Sequence, residues 1–194
     1  MALVLGLGNP GTRYERTRHN VGARVVEALA GRWRARPGES AAEYRAWEAR
    51  VGDRAAVLLR TKMYMNESGA ALAAWRARHP FEIAELLVVA DDVYLPVGMV
   101  RVRPGGSSGG HRGLESVGAA LDTWEFARLR IGVGQAPGEA LREHVLDEFD
   151  EAEESEVAEA VLIAADAVEC WIGEGLLAAM NRFNRRVGKE DSEP

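Results

Sequence analysis

The sequence predicts an α/β fold, a single domain in which a twisted, mixed but mostly parallel β-sheet is flanked by helices. Short apolar runs of strand length alternate along the chain with stretches whose apolar residues recur at helical spacing, the order of a layered α/β protein. One pair of runs, 44–51 and 55–61, is joined by Gly52-Asp53 as an antiparallel hairpin, so the sheet is expected to be mixed. The 194 residues, 47% hydrophobic, supply ample core for one compact domain.

In chain order, strand 3–7 opens on Leu3-Val4-Leu5 and runs into a glycine turn. A helix over about 21–34 follows, then the hairpin and a helix over about 66–78. Strands 85–90 and 97–103, a helix from about 112, strand 127–133 and helices through 154–185 complete the order. No internal repeat or interdomain linker interrupts residues 1–187, and the polar end 188–194 is expected to fray.

Several function classes are excluded early. No apolar run reaches the ~20 residues of a membrane span, and the N-terminus lacks the pattern of a signal peptide. The lone Cys170 sits in an apolar helical pattern and forms no internal disulfide, which fits a reducing cytoplasm. The four histidines are scattered without metal-ligand spacing, so no metal is expected.

Net charge is −6, but it is unevenly spread. Residues 139–159 hold ten acids against Arg142 alone, a local balance of −9 that leaves the rest of the chain at +3. The acidic run 147–159 reads as the solvated face of a helix. Arginines cluster at 13, 16 and 18, at 101, 103 and 112, at 128 and 130, and at 182, 185 and 186. Only two of the 24 basic residues are lysine. Arginine binds phosphate bidentately, so the clusters permit a phosphate-bearing partner; a GC-biased genome or a heat-adapted surface explains the excess equally well.

The segment Gly6–Gly22 carries the most chemistry. Its loop holds Asn9, Tyr14, three arginines and the pair His19-Asn20, polar side chains that no core needs. Imidazole exchanges protons near neutral pH, which makes His19 a candidate base. In open α/β sheets ligands sit beyond the carboxyl ends of strands. Asn9 and His19 follow the first strand there, and Asp91 follows Leu86-Leu87-Val88-Val89. Asp91-Asp92 reads either as a turn cap or as the partner that fixes the tautomer of His19. Asn66 reads either as an N-cap or as a carbonyl-binding amide. Arg101 and Arg103 alternate on a strand and face one side, either a solvated edge or, with Arg130, a phosphate clamp. Trp171, Leu176 and Met180 read as core.

Three glycine motifs fall short. Gly6-x-Gly8-x-x-Gly11 lacks the immediate helix and the downstream strand-end acid of a dinucleotide site. Gly106-Ser107-Ser108-Gly109-Gly110 matches G-x-S-x-G without the flanking strand and helix of a nucleophile elbow; a serine esterase through Ser108, with His111 or His144, is the weaker reading. Gly105–Gly110 has P-loop spacing without the Lys-Ser/Thr that follows it.

Taken together, the chain resembles the bacterial peptidyl-tRNA hydrolase family over roughly residues 3–187. The resemblance rests on Leu5–Gly11, Tyr14, Thr17–Gly22, Met65–Gly69, Asp91, Gly105-Gly106, Gly109–His111, Gly113-Leu114 and Arg128–Gly134. It implies hydrolysis of the ester between a peptide and the terminal ribose of tRNA, rescuing tRNA from stalled translation. His19 would then be the general base and Asp91 its orienting acid. Asn9 and Asn66 would hold the carbonyl and the oxyanion, Tyr14 would line the site near the 3′ end, and His111 would belong to a gate over the cleft. Arg103 and Arg130 match the pair that clamps the tRNA 5′ phosphate, although lysine is usual at the first. The resemblance further implies no cofactor, no metal, no membrane partner and a cytoplasmic protein; a monomer is expected. Phosphate contacts give affinity without reading base sequence, which suits an enzyme that accepts every elongator tRNA. Two departures stand out: His111-Arg112-Gly113 replaces the usual His-Asn-Gly, and Ala90, Asp92 and Tyr94 alter the surroundings of Asp91. The stretch 145–153, acidic here, corresponds to the family's mobile lid. A non-enzymatic RNA-binding relative is the competing reading, and the intact set of Asn9, His19, Asn66 and Asp91 argues against it.

Overall fold

The computed structural model describes residues 1–138 and 140–184. Glu139, Arg185, Arg186 and the tail 188–194 lie outside them. The elements are β1 (Ala2–Gly6), α1 (Val21–Arg32), β2 (Arg36–Ser40), β3 (Tyr44–Val51), β4 (Arg54–Thr61), α2 (Ser68–Arg76), β5 (Leu86–Asp92), β6 (Val100–Arg103), α3 (Arg112–Leu121), β7 (Ala127–Gly132), α4 (Leu141–Leu146), α5 (Glu151–Glu174) and α6 (Leu176–Phe183). Among the described residues one sheet forms, ordered β2-β3-β4-β1-β5-β7-β6. The central strands β4, β1, β5 and β7 run parallel, and the edges add antiparallel partners. The expected mixed sheet with a parallel centre is therefore the fold observed.

Both faces of the centre are covered, which is why its strands read as unbroken apolar runs. Val4, Leu58, Leu87, Val89, Leu129 and Ile131 pack with α1 and α5. Leu3, Leu5, Leu59, Leu86 and Val88 face the other way, against Leu72, Trp75, Leu114 and Val117. Cys170 and Trp171 are buried in the first layer, with Leu176 and Met180 packed at its margin.

The expected boundaries shift where pairing or capping decides them. Strand β5 runs on to Asp92 because it pairs with β7 as far as Gly132, so both carboxylates lie inside the strand rather than after it. Strand β6 starts at Val100, not 97, and the expected 66–78 helix starts at Ser68 after a 3₁₀ turn, Met65–Glu67. The helices expected through 154–185 are α5, which starts earlier at Glu151, and α6; they part at Gly175, whose φ of 93° ends α5. Strand β2, Arg-Pro-Gly-Glu-Ser, escapes sequence reading because it has no apolar alternation and is held by the edge of β3. The short α4 buries no residue and leaves no core signal.

The acidic run is not simply a solvated face. Asp150 caps α5 by accepting from the Glu153 N–H. Glu153 takes both ends of the Arg18 guanidinium at 3.0 and 2.7 Å, Glu154 pairs with Arg24, and Asp166 pairs with Arg32. These pairs tie α5 to α1 and to the loop before it. The Arg32–Asp166 pair is exposed and contributes little, but Arg18 is buried, with its guanidinium 4.7 Å over the Phe149 ring.

Candidate active site

The carboxyl ends of the parallel strands open into a cleft of about 630 Å³ lined by Asn9, Tyr14, His19, Asn66, Asp91, His111 and Arg130, among others. Every expected site residue but Arg103 lines it. The glycines of the first loop serve close packing. A Cβ at Gly22 would lie 2.3 Å from the Val89 carbonyl oxygen, and one at Gly6 would lie 2.5 Å from that of Gly22. The start of α1 therefore sits directly on β1 and β5, and the loop between is forced over the sheet end.

That loop is fastened by amides. The buried Asn9 donates its N–H to Asn20 Oδ1 at 2.8 Å, and its carbonyl accepts from Asn20 Nδ2 at 2.9 Å. Asn9 Oδ1 accepts the Met65 N–H at 2.9 Å. One contact thus couples the first loop to the turn that carries Asn66, and the Asn9 Nδ2 hydrogens have no acceptor among the described residues. Sequence reading treated Asn20 only as the neighbour of His19; the structure makes it the brace of Asn9. Asn66 is exposed inside its 3₁₀ turn, and it is not the cap of α2, which is Glu67.

His19 sits in a second 3₁₀ turn, Arg18–Asn20, with its Nδ1 2.8 Å from Asp91 Oδ1. His111 Nε2 lies 2.9 Å from the same oxygen. His111 is also the N-cap of α3, and its Nδ1 accepts the N–H groups of Gly113 and Leu114 at 3.1 and 3.2 Å. These bonds settle both tautomers. With Nδ1 of His111 an acceptor, its Nε2 carries the proton and donates to Asp91. An ionised carboxylate only accepts, so His19 Nδ1–H also donates, and His19 Nε2 is left as a lone-pair base. Burial alone would push the Asp91 carboxyl up. The attraction of the two imidazoles, His19 then His111, and their hydrogen bonds outweigh it and hold Asp91 well below the usual carboxylate range.

His19, Asp91 and His111 also form a three-donor set within 4.8 Å, of a size that could hold a cation. In the geometry described, those donor atoms are engaged with one another.

Asp92, the next residue, points to the other face of the strand. Its Oδ2 is 3.0 Å from Arg130 Nε, and its Oδ1 accepts the Tyr94 N–H at 2.9 Å. Arg101 lies opposite Arg130 across the β6–β7 ladder and Arg103 opposite Arg128, so all four arginines share one face. Arg103 is exposed. Arg128 is buried over Phe126 and donates to the Ser107 and Trp124 carbonyls, which straps the glycine loop 104–110 to the sheet. Burial and then the neighbouring Arg130 lower the Arg128 pKa to about 10.

The serine motif does not assemble. Ser108 Oγ bonds Glu115 Oε1 at 3.1 Å rather than a histidine, in an exposed loop. His144 spends its Nε2 on the carbonyls of Val133 and Gly134, where it pins α4. That helix lines the cleft with Leu141, Arg142 and Val145, and Arg112 reaches the rim from α3.

A family model described as Peptidyl-tRNA hydrolase matches residues 3–192. The chain belongs to the peptidyl-tRNA hydrolase family. The peptidyl-tRNA hydrolase of Rubrobacter xylanophilus is 47% identical over 189 residues, 94% of this chain and 100% of the relative. That of Chloroflexus aggregans is 45% identical over 95% of this chain and 99% of its own. A crystal structure of peptidyl-tRNA hydrolase from Acinetobacter baumannii superposes with a TM-score of 0.89 at 30% identity, covering 95% of this chain and 94% of that one.

Proposed function

We propose that this chain hydrolyses the ester joining a peptide's C-terminus to the 3′-terminal ribose of tRNA, releasing both. The observation that carries the residue roles is the paired donation of His19 and His111 to one buried oxygen of Asp91, within a family whose members carry that activity in their name. Water, oriented by the base, loses a proton to His19 Nε2 as its oxygen attacks the ester carbonyl. Asp91 stabilises the imidazolium that forms. Asn9 Nδ2 and the Asn66 amide hold the developing oxyanion, where one preorganised donor contributes about 3–4 kcal/mol. Collapse breaks the bond to the ribose oxygen, which takes the proton back from His19.

The ester is activated, so one base, one positioned water and an oxyanion site suffice, and the mechanism uses no metal or cofactor. Tyr14 lines the approach of the 3′ end, His111 orients Asp91 from the cleft wall, and Arg103 and Arg130 take tRNA phosphates. The protein is assigned to the cytoplasm as a monomer; among the described residues no helix is long and apolar enough to cross a membrane.

The test is hydrolysis of a peptidyl-tRNA, with and without chelator, by wild type, His19→Ala and Ser108→Ala. His19→Ala is expected to lose about 10²–10⁴-fold in turnover while keeping tRNA affinity. Full activity in that variant sinks the mechanism, as does its loss in Ser108→Ala; a wild type that binds tRNA without cleaving it sinks the activity.

A further inference from the structure

Tyr94 presents a bare ring to the cleft. The residue is 62% exposed, among the largest exposures of any apolar or aromatic residue described. A lone exposed ring on an open surface needs no account. This one lines the reaction cleft, and it does so beside a cation. A Cβ built on Gly109 would lie 3.4 Å from Arg130 Nη2 and 3.7 Å from Tyr94 Cε2, so ring and guanidinium are neighbours under the glycine loop. A single carboxylate touches both: Asp92 accepts the Tyr94 N–H on one oxygen and forms an ion pair with Arg130, 3.0 Å from its Nε, on the other. Asp92 is itself 4% exposed, and a buried carboxylate is retained only where its partners compensate it.

An aromatic face beside a fixed guanidinium is how proteins hold unpaired RNA, with the base on the ring and the backbone on the cation. We propose that the Tyr94 ring is a stacking platform for one unpaired base of the substrate's 3′ strand, with Asp92 as the positioning residue that fixes platform and cation together. The inference rests on the activity proposed above. With the 5′ phosphate of the paired stem at Arg130 and the ester at His19, the unpaired 3′ nucleotides between them run through the cleft that Tyr94 lines. Stacking accepts any base, so the platform adds affinity without sequence preference.

The experiment compares wild type, Tyr94→Ala, Tyr94→Phe and Asp92→Asn on peptidyl-tRNA, then on substrates with one 3′-strand nucleotide at a time made abasic. Tyr94→Ala is expected to raise KM about five- to a hundredfold, with the loss falling in KM rather than kcat. Tyr94→Phe is expected to keep most of the affinity, because the ring and not the hydroxyl does the holding. Asp92→Asn should raise KM in the same sense. At one abasic position the base deletion and Tyr94→Ala together should cost no more than either alone, a coupling that a purely structural role for the ring cannot produce. Three results overturn the platform: KM of Tyr94→Ala within twofold of wild type, Tyr94→Phe as damaged as Tyr94→Ala, or additivity at every abasic position. A wild type unable to cleave peptidyl-tRNA refutes the underlying activity instead.

Discussion

Replacing Asp91 by Asn removes one charge while leaving the shape of the site. Because both imidazoles use Oδ1, the amide can fit in only one sense. His111 Nδ1 already accepts two backbone N–H groups, so its Nε2 must donate and requires an oxygen at that place. The new NH₂ therefore takes the position of Oδ2, which has no hydrogen-bond partner in the described structure. His19 keeps its tautomer and loses only the charge that stabilises its imidazolium. At about 4 Å and an effective dielectric constant of about 20, that charge is worth about 4 kcal/mol. An independent figure is the difference between a charge-assisted and a neutral hydrogen bond, about 1–1.5 kcal/mol. Between these bounds kcat should fall by about fivefold to 10³-fold, at 1.36 kcal/mol per decade. That is short of the ~10⁴ seen when loss of a triad acid also swaps the tautomer. Single-turnover hydrolysis of peptidyl-tRNA, with circular dichroism confirming the fold, reads the loss. A fall of less than threefold removes the Asp91 charge from the mechanism. A fall beyond 10⁴ in a folded variant means His111 does not lock the amide.

Other predictions follow from the same contacts. Arg103→Ala and Arg130→Ala should each raise KM for full-length peptidyl-tRNA while sparing a short peptidyl-nucleotide; equal damage to both substrates refutes the phosphate role. Asp91 and Glu153 have carboxyls held below their ordinary values, Asp91 against its burial by two imidazoles and Glu153 chiefly by its hydrogen bond to Arg18. A depressed folded pKa contributes stability that is complete above the unfolded value, about 3.9 for Asp and 4.3 for Glu, and is lost as pH falls through the folded one. Thermal melts from pH 7 to pH 3 should therefore steepen in their decline below about pH 4, and Glu153→Gln should flatten that decline; an unchanged slope refutes the linkage. Gly22→Ala gains helix propensity of at most about 1 kcal/mol but drives a Cβ to 2.3 Å from the Val89 carbonyl oxygen. The net loss of about 1–3 kcal/mol should lower Tm by roughly 3–10 °C, and a more stable variant would show that α1 can shift off the sheet.

Much of the fold was legible because burial on both faces writes itself into a strand as an apolar run, as in Leu3-Val4-Leu5 and Leu86–Ala90. Strand β2 and helix α4 were not, because edge pairing and a six-residue surface turn require no apolar pattern. His19, Asn9, Asn66 and Asp91 were marked by residue type and by their places at strand ends, where a core has no use for polar side chains. Their relations were invisible. That Asn20 braces Asn9, that His111 and His19 share one oxygen, and that Glu153 holds Arg18 all depend on atoms 11, 20, 72 and 135 residues apart in the chain. Hydrogen bonds are directional over tenths of an ångström, whereas hydrophobic patterning registers only which face is buried. The sequence by itself therefore determined the layer order of the protein and the inventory of its cleft. Tertiary structure decided which nitrogen of each histidine carries the proton, and how two adjacent aspartates, turned to opposite faces of one strand, come to line one cleft.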